Sequence, residues 1–476
     1  MASKKLMTVA VVAVALVGGY SATAWFLGKQ IEAVHAEMDA QLATVPYIKR
    51  VESKYERSLF SAVETSIIEF PSALFGSAFQ TEGETTPPPP LRIIAKSHIQ
   101  HGPLIDFSVF AAGRAYSTIE FEGELQQSAQ AIFGDKPALS LLTTFDFQGG
   151  GNQTLSSPAF KINQAPNENQ PTTISSDGIE AFMTFTKGLE KYTFKANMPR
   201  FEIATQDDGG MRITGLRMEG EQQRMFPDEP MMYSGSQQIS LDEVAVDPGK
   251  NAEPDGVRKV NLRELKFDFQ VPYSGDFVDI IAKMGAGICR IDEQDYGPVN
   301  YNLSFKHLHA RKLTALNKQF MAIYANEDAP QTPGEMARAF APMKETLVEL
   351  LLDEPQFFLD QISFKTPEGE ARLVASIRLD DAKAEDFDSP ALLQSKIDLA
   401  ADIALPVSLL VALPGSEPIV GALAQQNFVS VDNGLLKSKI AFKAGELMLN
   451  EKPFNPMMLM MQQGPDEEEE SEDDDE

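Results

Sequence analysis

A single cysteine, Cys289, is present among 476 residues. No intrachain disulfide can form, so the fold stands on its core alone in any compartment. No cysteine lies near the N-terminus, which excludes a lipid-anchored lipoprotein. Basic residues are in short supply: 41 Lys and Arg stand against 69 Asp and Glu, a formal net charge of −28. That balance argues against nucleic acid, whose phosphates need a basic surface. It also argues against anionic headgroups as ligands of the acidic surface. The motifs of common chemistries are missing too. There is no G-x-S-x-G elbow, no H-E-x-x-H, no P-loop and no dinucleotide fingerprint. The many carboxylates show no EF-hand spacing. No cofactor and no catalytic residue follows from the sequence, and a hydrolase with a dispersed site ranks last among the functional readings. Long apolar runs are equally scarce, with one exception.

The exception is residues 6–27, LMTVAVVAVALVGGYSATAWFL, which carry no charge. About 20 apolar helical residues cross a hydrocarbon core of about 30 Å. Lys4 and Lys5 precede the run, and the positive-inside rule then leaves residues 1–5 as a cytoplasmic stub. A cleaved secretory signal is the rival reading, since Ala22-Thr23-Ala24 fits an A-x-A cleavage site. Trp25, Phe26 and Leu27 continue the run past that site, and an aromatic at its end suits the membrane interface. Both readings imply export; they differ on anchoring.

Beyond the run, residues 28–43 show helical spacing through Ile31, Val34, Met38 and Leu42, and Pro46 ends it. Residues 28–60 read as a stalk helix and linker. Residues 61–455 read as a large exported domain, either one body or two β-rich subdomains meeting near 200–260. Alternation marks many strands: Tyr192, Phe194, Ala196 and Met198; Leu265, Phe267, Phe269 and Val271; Leu436, Ile440 and Phe442. Similar runs cover 62–70, 106–110, 117–123, 139–147, 201–205, 212–219, 238–246, 299–305 and 361–379. Such patterning predicts mainly antiparallel sheet. Helices are expected at 313–326, at 333–352 behind a Thr332 cap, and, broken by Pro414 and Pro418, at 405–428. They are expected to cover the sheet's open face. Residues 277–284 read as a short helix leading to Cys289, a small buried hydrophobe. The fold class is therefore α+β, a single N-terminal transmembrane helix followed by a mainly antiparallel domain.

Loops and tail are legible. Pro87 to Pro90 predict extended polyproline. Gly149-Gly150-Gly151 reads as a hairpin. Residues 456–476 hold a Met-rich segment and an acidic tail whose like charges keep it from packing. Five histidines are present. His307 and His309 form an H-x-H pair, which on a strand puts both rings on one face. No third ligand is evident, so the expectation is packing and no metal. His98 and His101 end a strand, with Gly102 and Pro103 turning the chain.

Several stretches together resemble a known family. Gly28-Lys29-Gln30-Ile31-Glu32, then Tyr55-x-Arg57-x-x-Phe60-Ser61, then His101-Gly102-Pro103 occur in that order. Leu352-Asp353-Glu354-Pro355, Ile362 onward and Gly445-Glu446-Leu447-Met448-Leu449-Asn450 extend the likeness. The chain resembles the YdgA-like proteins of the Gram-negative envelope, a family of unknown function. The resemblance implies an inner-membrane anchor and a large periplasmic domain, and brings no catalytic residue with it. The expected partners are the membrane, through one helix, and envelope proteins or lipid; a second copy of the chain remains open. The leading reading is a structural or interaction role in the envelope. The alternative is lipid handling of the kind found in AsmA-like proteins, by analogy of fold alone.

Overall fold

The computed structural model describes residues 2–43, 45, 48–71, 90–106, 108–164, 172–205, 209–250, 259–324, 332–411 and 416–455. Of α1 (Ala2–Leu42), the side chains of residues 2–16, 38, 39, 41 and 42 lie outside this description, as do Pro87 to Pro89 of the proline run and the Met-rich, acidic C-terminus. The chain divides into two compact units, Met1–Asp295 with Leu308–Leu350, and Tyr296–His307 with Leu351–Glu476.

The first unit is an antiparallel meander. Its opening strands are β1 (Lys49–Arg57), β2 (Ser61–Phe70), β3 (Leu91–His101) and β4 (Gly113–Phe121). After helix α2 (Glu124–Phe133) come β5 (Leu139–Phe145), β6 (Gly151–Ser157), β7 (Phe160–Gln164), β8 (Thr172–Ser176) and β9 (Ile179–Phe185). The long strands follow: β10 (Lys191–Thr205), β11 (Gly210–Phe226), β12 (Glu229–Asp247) and β13 (Val260–Val271). Each of β1 to β5 pairs with the next, β6 pairs with β9, and pairing then continues in order from β9 to β13. The β7–β8 hairpin extends the far end of β10.

A crease crosses the long strands at Gly215 and Glu264, both with positive φ, +65° and +56°. The apolar positions slip phase there. On β11 they run Met218 and Leu216, then Ile213; on β13 they run Phe267 and Leu265, then Leu262. A residue in the left-handed region rotates the chain, so spacing by three takes the place of spacing by two.

Residues 277–284 form a strand, not a helix: Phe277–Ala286 pairs with β13 through Phe267↔Met284. A short apolar run fits either period, and Val278, Ile280 and Ile281 favour the extended form. Cys289 follows in another strand, half-buried opposite Leu262. Helix α3 (Ala310–Tyr324) packs by α4 (Pro333–Phe340) and α5 (Lys344–Leu351). Thr332 and Glu335 cap α4 reciprocally, as the sequence indicates. Pro342 breaks what the sequence suggests is one helix, since it cannot donate to the ladder. Leu308, Ala310 and Leu350 close a core over Phe226 and Val278.

The second unit is also antiparallel. Val299–His309 pairs with Gln356–Thr366, which turns at Gly369 into Gly369–Leu379. Ile397–Pro406, Leu435–Lys443, Glu446–Leu449 and Lys452–Pro453 follow in order. Residues 407–411 and 416–425 are helical, as the broken helix expected at 405–428 requires; the differences are that Leu405 and Pro406 end a strand and that Pro418 sits in the first turn of Ser416–Gln425. Ile105 and Val109 form an isolated bridge, with Asp106 and Ser108 in turns, so the described residues of 106–110 do not form the predicted strand.

Candidate functional site

Helix α1 continues without a break from the apolar run into residues 28–42. Within 28–42, Ile31 is buried and Val34 packs against the same core. Ala24, Leu27 and Ile31 are almost fully buried, and the latter two join Ala62, Ile99, Ala112, Ala115 and Phe145 in one core. Small residues make room for the helix. A Cβ at Gly113 would overlap Ile31. The linker part of 28–60 holds a strand, β1, in which charged residues outnumber the rest. Its only partner among the described residues is β2, and charge suits an edge.

All three quoted motifs meet where the helix docks. Gly28 faces the ring of His101, which is 3% exposed. Glu32 binds Arg57 at 3.1 Å, and Arg57 also donates to the Trp25 carbonyl at 3.4 Å. The Arg57 guanidinium and Lys29 Nζ lie 5.6 and 4.5 Å from the Trp25 ring centroid. Phe60 packs on Tyr20 at 6.0 Å, and its carbonyl accepts from His101 N at 2.7 Å. Ser61 closes the tight turn by accepting from Ser58 N. Gly102, at φ +140°, lets Tyr20 come close enough to donate to the Leu104 carbonyl at 2.8 Å. Pro103 lies in that turn. Tyr55 packs 5.8 Å from His35, and burial pushes its pKa up to about 12.

Behind the docked helix is a chamber of about 260 Å³. Its walls are largely apolar, from Ile68, Ile119, Leu141, Met183 and Phe185. A polar stripe crosses them. Glu64 is 6% exposed while its neighbour Val63 is 42% exposed, the reverse of their hydrophobicity. Glu64 meets His35 Nδ1 at 2.9 Å and Arg50 at 3.4 Å, and accepts from Ser66 at 3.2 Å. Arg50 also donates to Ser66 at 2.9 Å. Burial alone would raise the Glu64 pKa; the hydrogen bonds and charges of His35, Ser66 and Arg50 outweigh it and hold it below the usual range. The register sets Glu64 opposite Ser97 and Ser97 opposite Ser117, whose hydroxyls bond at 2.8 Å. Thr143 accepts from Gln153 at 3.0 Å. Sequence reading missed these residues. The signal was there: Glu64 and Ser66 share the phase of Ala62, and Ser97 that of Ile99.

The H-x-H pair has different geometry from an ideal strand. His307 takes φ +61°, which interrupts the alternation that would align the two rings. His309 packs 5.5 Å from Phe277. Among the described residues, no group of three or more His, Cys, Asp or Glu is placed to hold a metal. Among the described residues, which leave out the side chains of residues 2–16, no helix is long and apolar enough to cross a membrane.

Fold and site define a β-rich, mainly antiparallel protein with an N-terminal helix built into its first sheet. The chain belongs to a bacterial family of unknown function, DUF945, whose sequence profile matches residues 3–457. It is similar to an uncharacterized protein of Haemophilus influenzae, 24% identical over 335 residues, or 67% of this chain and 87% of that protein. No solved structure matches.

Proposed function

We propose that this chain is a single-pass envelope protein that works by interaction, with its bulk across the inner membrane. In this reading α1 is both the membrane anchor and a member of the domain's first core. The observation that carries the proposal is the helix lock. Gly28, Glu32, Arg57, Phe60 and His101 are engaged with each other and with α1, an arrangement suited to holding a domain against its anchor. The order of the motifs, resembling YdgA-like proteins, supports the inner-membrane and periplasmic assignment. The signal-peptide alternative fits the geometry less well. Cleavage after Ala24 would remove Tyr20 and Ala24 from a packed interface.

The experiment is alkaline carbonate extraction of membranes, with N-terminal sequencing of the mature protein. Retention in the pellet with the original N-terminus is expected. A soluble chain beginning at Trp25 would overturn the anchor.

The chamber supports a second reading, binding of a small amphipathic molecule. Ligand pockets commonly occupy about 300–1,000 Å³, and the chamber's 260 Å³ lies just below. That volume suits a short apolar group with one polar end better than a full lipid. Mass spectrometry of material copurified in gentle detergent tests it; a copurifying ligand lost on Leu141→Trp is the expected result.

A further inference from the structure

We infer that the rim around the exit of α1 is a collar seated in the bilayer interface, so that the domain itself, and not only its anchor, touches lipid. This rests on the anchor reading above. Residues 6–19, at about 1.5 Å rise each, cover about 21 Å, whereas the hydrocarbon core is about 30 Å thick. The remaining depth falls to residues 20–25. Those residues are already docked: Tyr20 donates to the Leu104 carbonyl, packs on Phe60, and Ala24 is fully buried. Whatever surrounds residues 20–25 must therefore enter the membrane with them.

The surroundings have the chemistry for it. Tyr20, Trp25 and Phe26 on α1 are joined by Leu59 and Phe60 before β2 and by Leu104 after β3. All six are between 37% and 55% exposed. An exposed apolar cluster of this kind marks a contact surface. Its Tyr and Trp have the amphipathic form that sits at headgroup level. Lys29, one turn further along α1, and Arg57, at the end of β1, stack on the Trp25 ring, and long cationic side chains beside an aromatic can reach the interface. With a net charge of −28, the rest of the surface is unsuited to anionic headgroups, so apolar insertion into zwitterionic lipid is the available contact. A soluble protein partner would not account for the position of the cluster around the helix that leaves the domain.

The chain's single tryptophan makes the test direct. The full-length protein is reconstituted in phosphatidylcholine vesicles, and its fluorescence quenched with phosphatidylcholine brominated at shallow or deep acyl positions. In a Trp25→Phe background, Phe60→Trp and Leu104→Trp each move the probe to the collar. Phe269→Trp places it on β13, where the native side chain is 41% exposed. Both collar variants are expected to be quenched several-fold more than the Phe269→Trp control, most strongly by shallow bromines. Quenching of Trp25 in the unmodified protein, with the two collar probes no more quenched than the control, would overturn the collar and leave the anchor standing. Failure of the unmodified protein to float with the vesicles would overturn both. The two collar positions lie in separate turns, so misfolding of one variant leaves the other to decide.

Discussion

Gly28 of α1 lies against the imidazole of His101 at the end of β3: a Cβ at position 28 would stand 2.6 Å from Nδ1 and 2.9 Å from Cε1. This contact sets how closely the helix approaches the sheet. The ring is buried between helix and strand and has no solvent to move into.

Gly28→Ala therefore meets two opposed effects. Alanine in a helix interior gains about 1 kcal/mol over glycine, while overpacking a filled site costs about 1–3 kcal/mol. A net loss of about 1 kcal/mol is expected from those ranges. In a His101→Ala background the obstacle is gone, and the same substitution should stabilise. Urea midpoints of the four proteins measure this. Equal destabilisation in both backgrounds would show that the ring is not the obstacle.

The serine pair gives a second cycle. Ser97 and Ser117 are each 8% exposed and bond at 2.8 Å. Ser97→Ala strands one buried hydroxyl, which costs about 1–3 kcal/mol. Removing both hydroxyls removes the stranded group too, so the double variant should lose less than the two single losses combined, by about 1 kcal/mol. Additive losses would show that each hydroxyl has another partner.

Much of this architecture was legible in the sequence, and the exceptions have physical causes. Alternation in Tyr192 to Met198 and Leu265 to Val271 places strands with one apolar face, and antiparallel pairing follows. The motif residues Gly28, Arg57 and His101 stand out in the sequence, yet only the register of β1 to β4 brings them together on α1. Glu64 went unseen because a lone carboxylate in a buried phase looks like a pattern error until His35 and Arg50 arrive from elsewhere. β1 was hidden by its charge, which an edge strand tolerates and periodicity does not count. The stretch 277–284 failed for a different reason: its apolar residues satisfy both periods, and pairing with β13 decides between them.

For the histidine pair the expected outcome is no more than trace zinc, since two imidazoles alone do not complete a zinc site. The interrupted alternation at His307 and the ring contact of His309 with Phe277 give the two imidazoles different surroundings. Plasma mass spectrometry of protein purified without chelator decides it. Near-stoichiometric zinc lost in a His307→Ala, His309→Ala double variant would revive a metal-dependent role.

Acid should loosen the helix lock in two phases. Burial pushes the His101 pKa down from 6.5, and the charge of Arg57 adds to this; Glu32 and the Leu59 backbone oppose it without offsetting it. The folded state then binds fewer protons than the unfolded chain just below that value. Its contribution is full above about pH 6.5 and declines as pH falls through that window. Glu64 is also held below its ordinary 4.5. Its contribution is present above about pH 4.5 and is lost as pH falls further, when the unfolded chain takes up a proton that the His35 and Arg50 contacts resist. Melting temperature followed downward from neutral pH should thus decline first in the histidine window and again in the carboxylate window. His101→Gln should remove the first decline and leave the second, and Glu64→Gln should do the reverse. A His101→Gln protein with an unchanged slope near pH 6, or about half a unit below the ordinary histidine value, would show that the buried ring does not set the acid response of the lock.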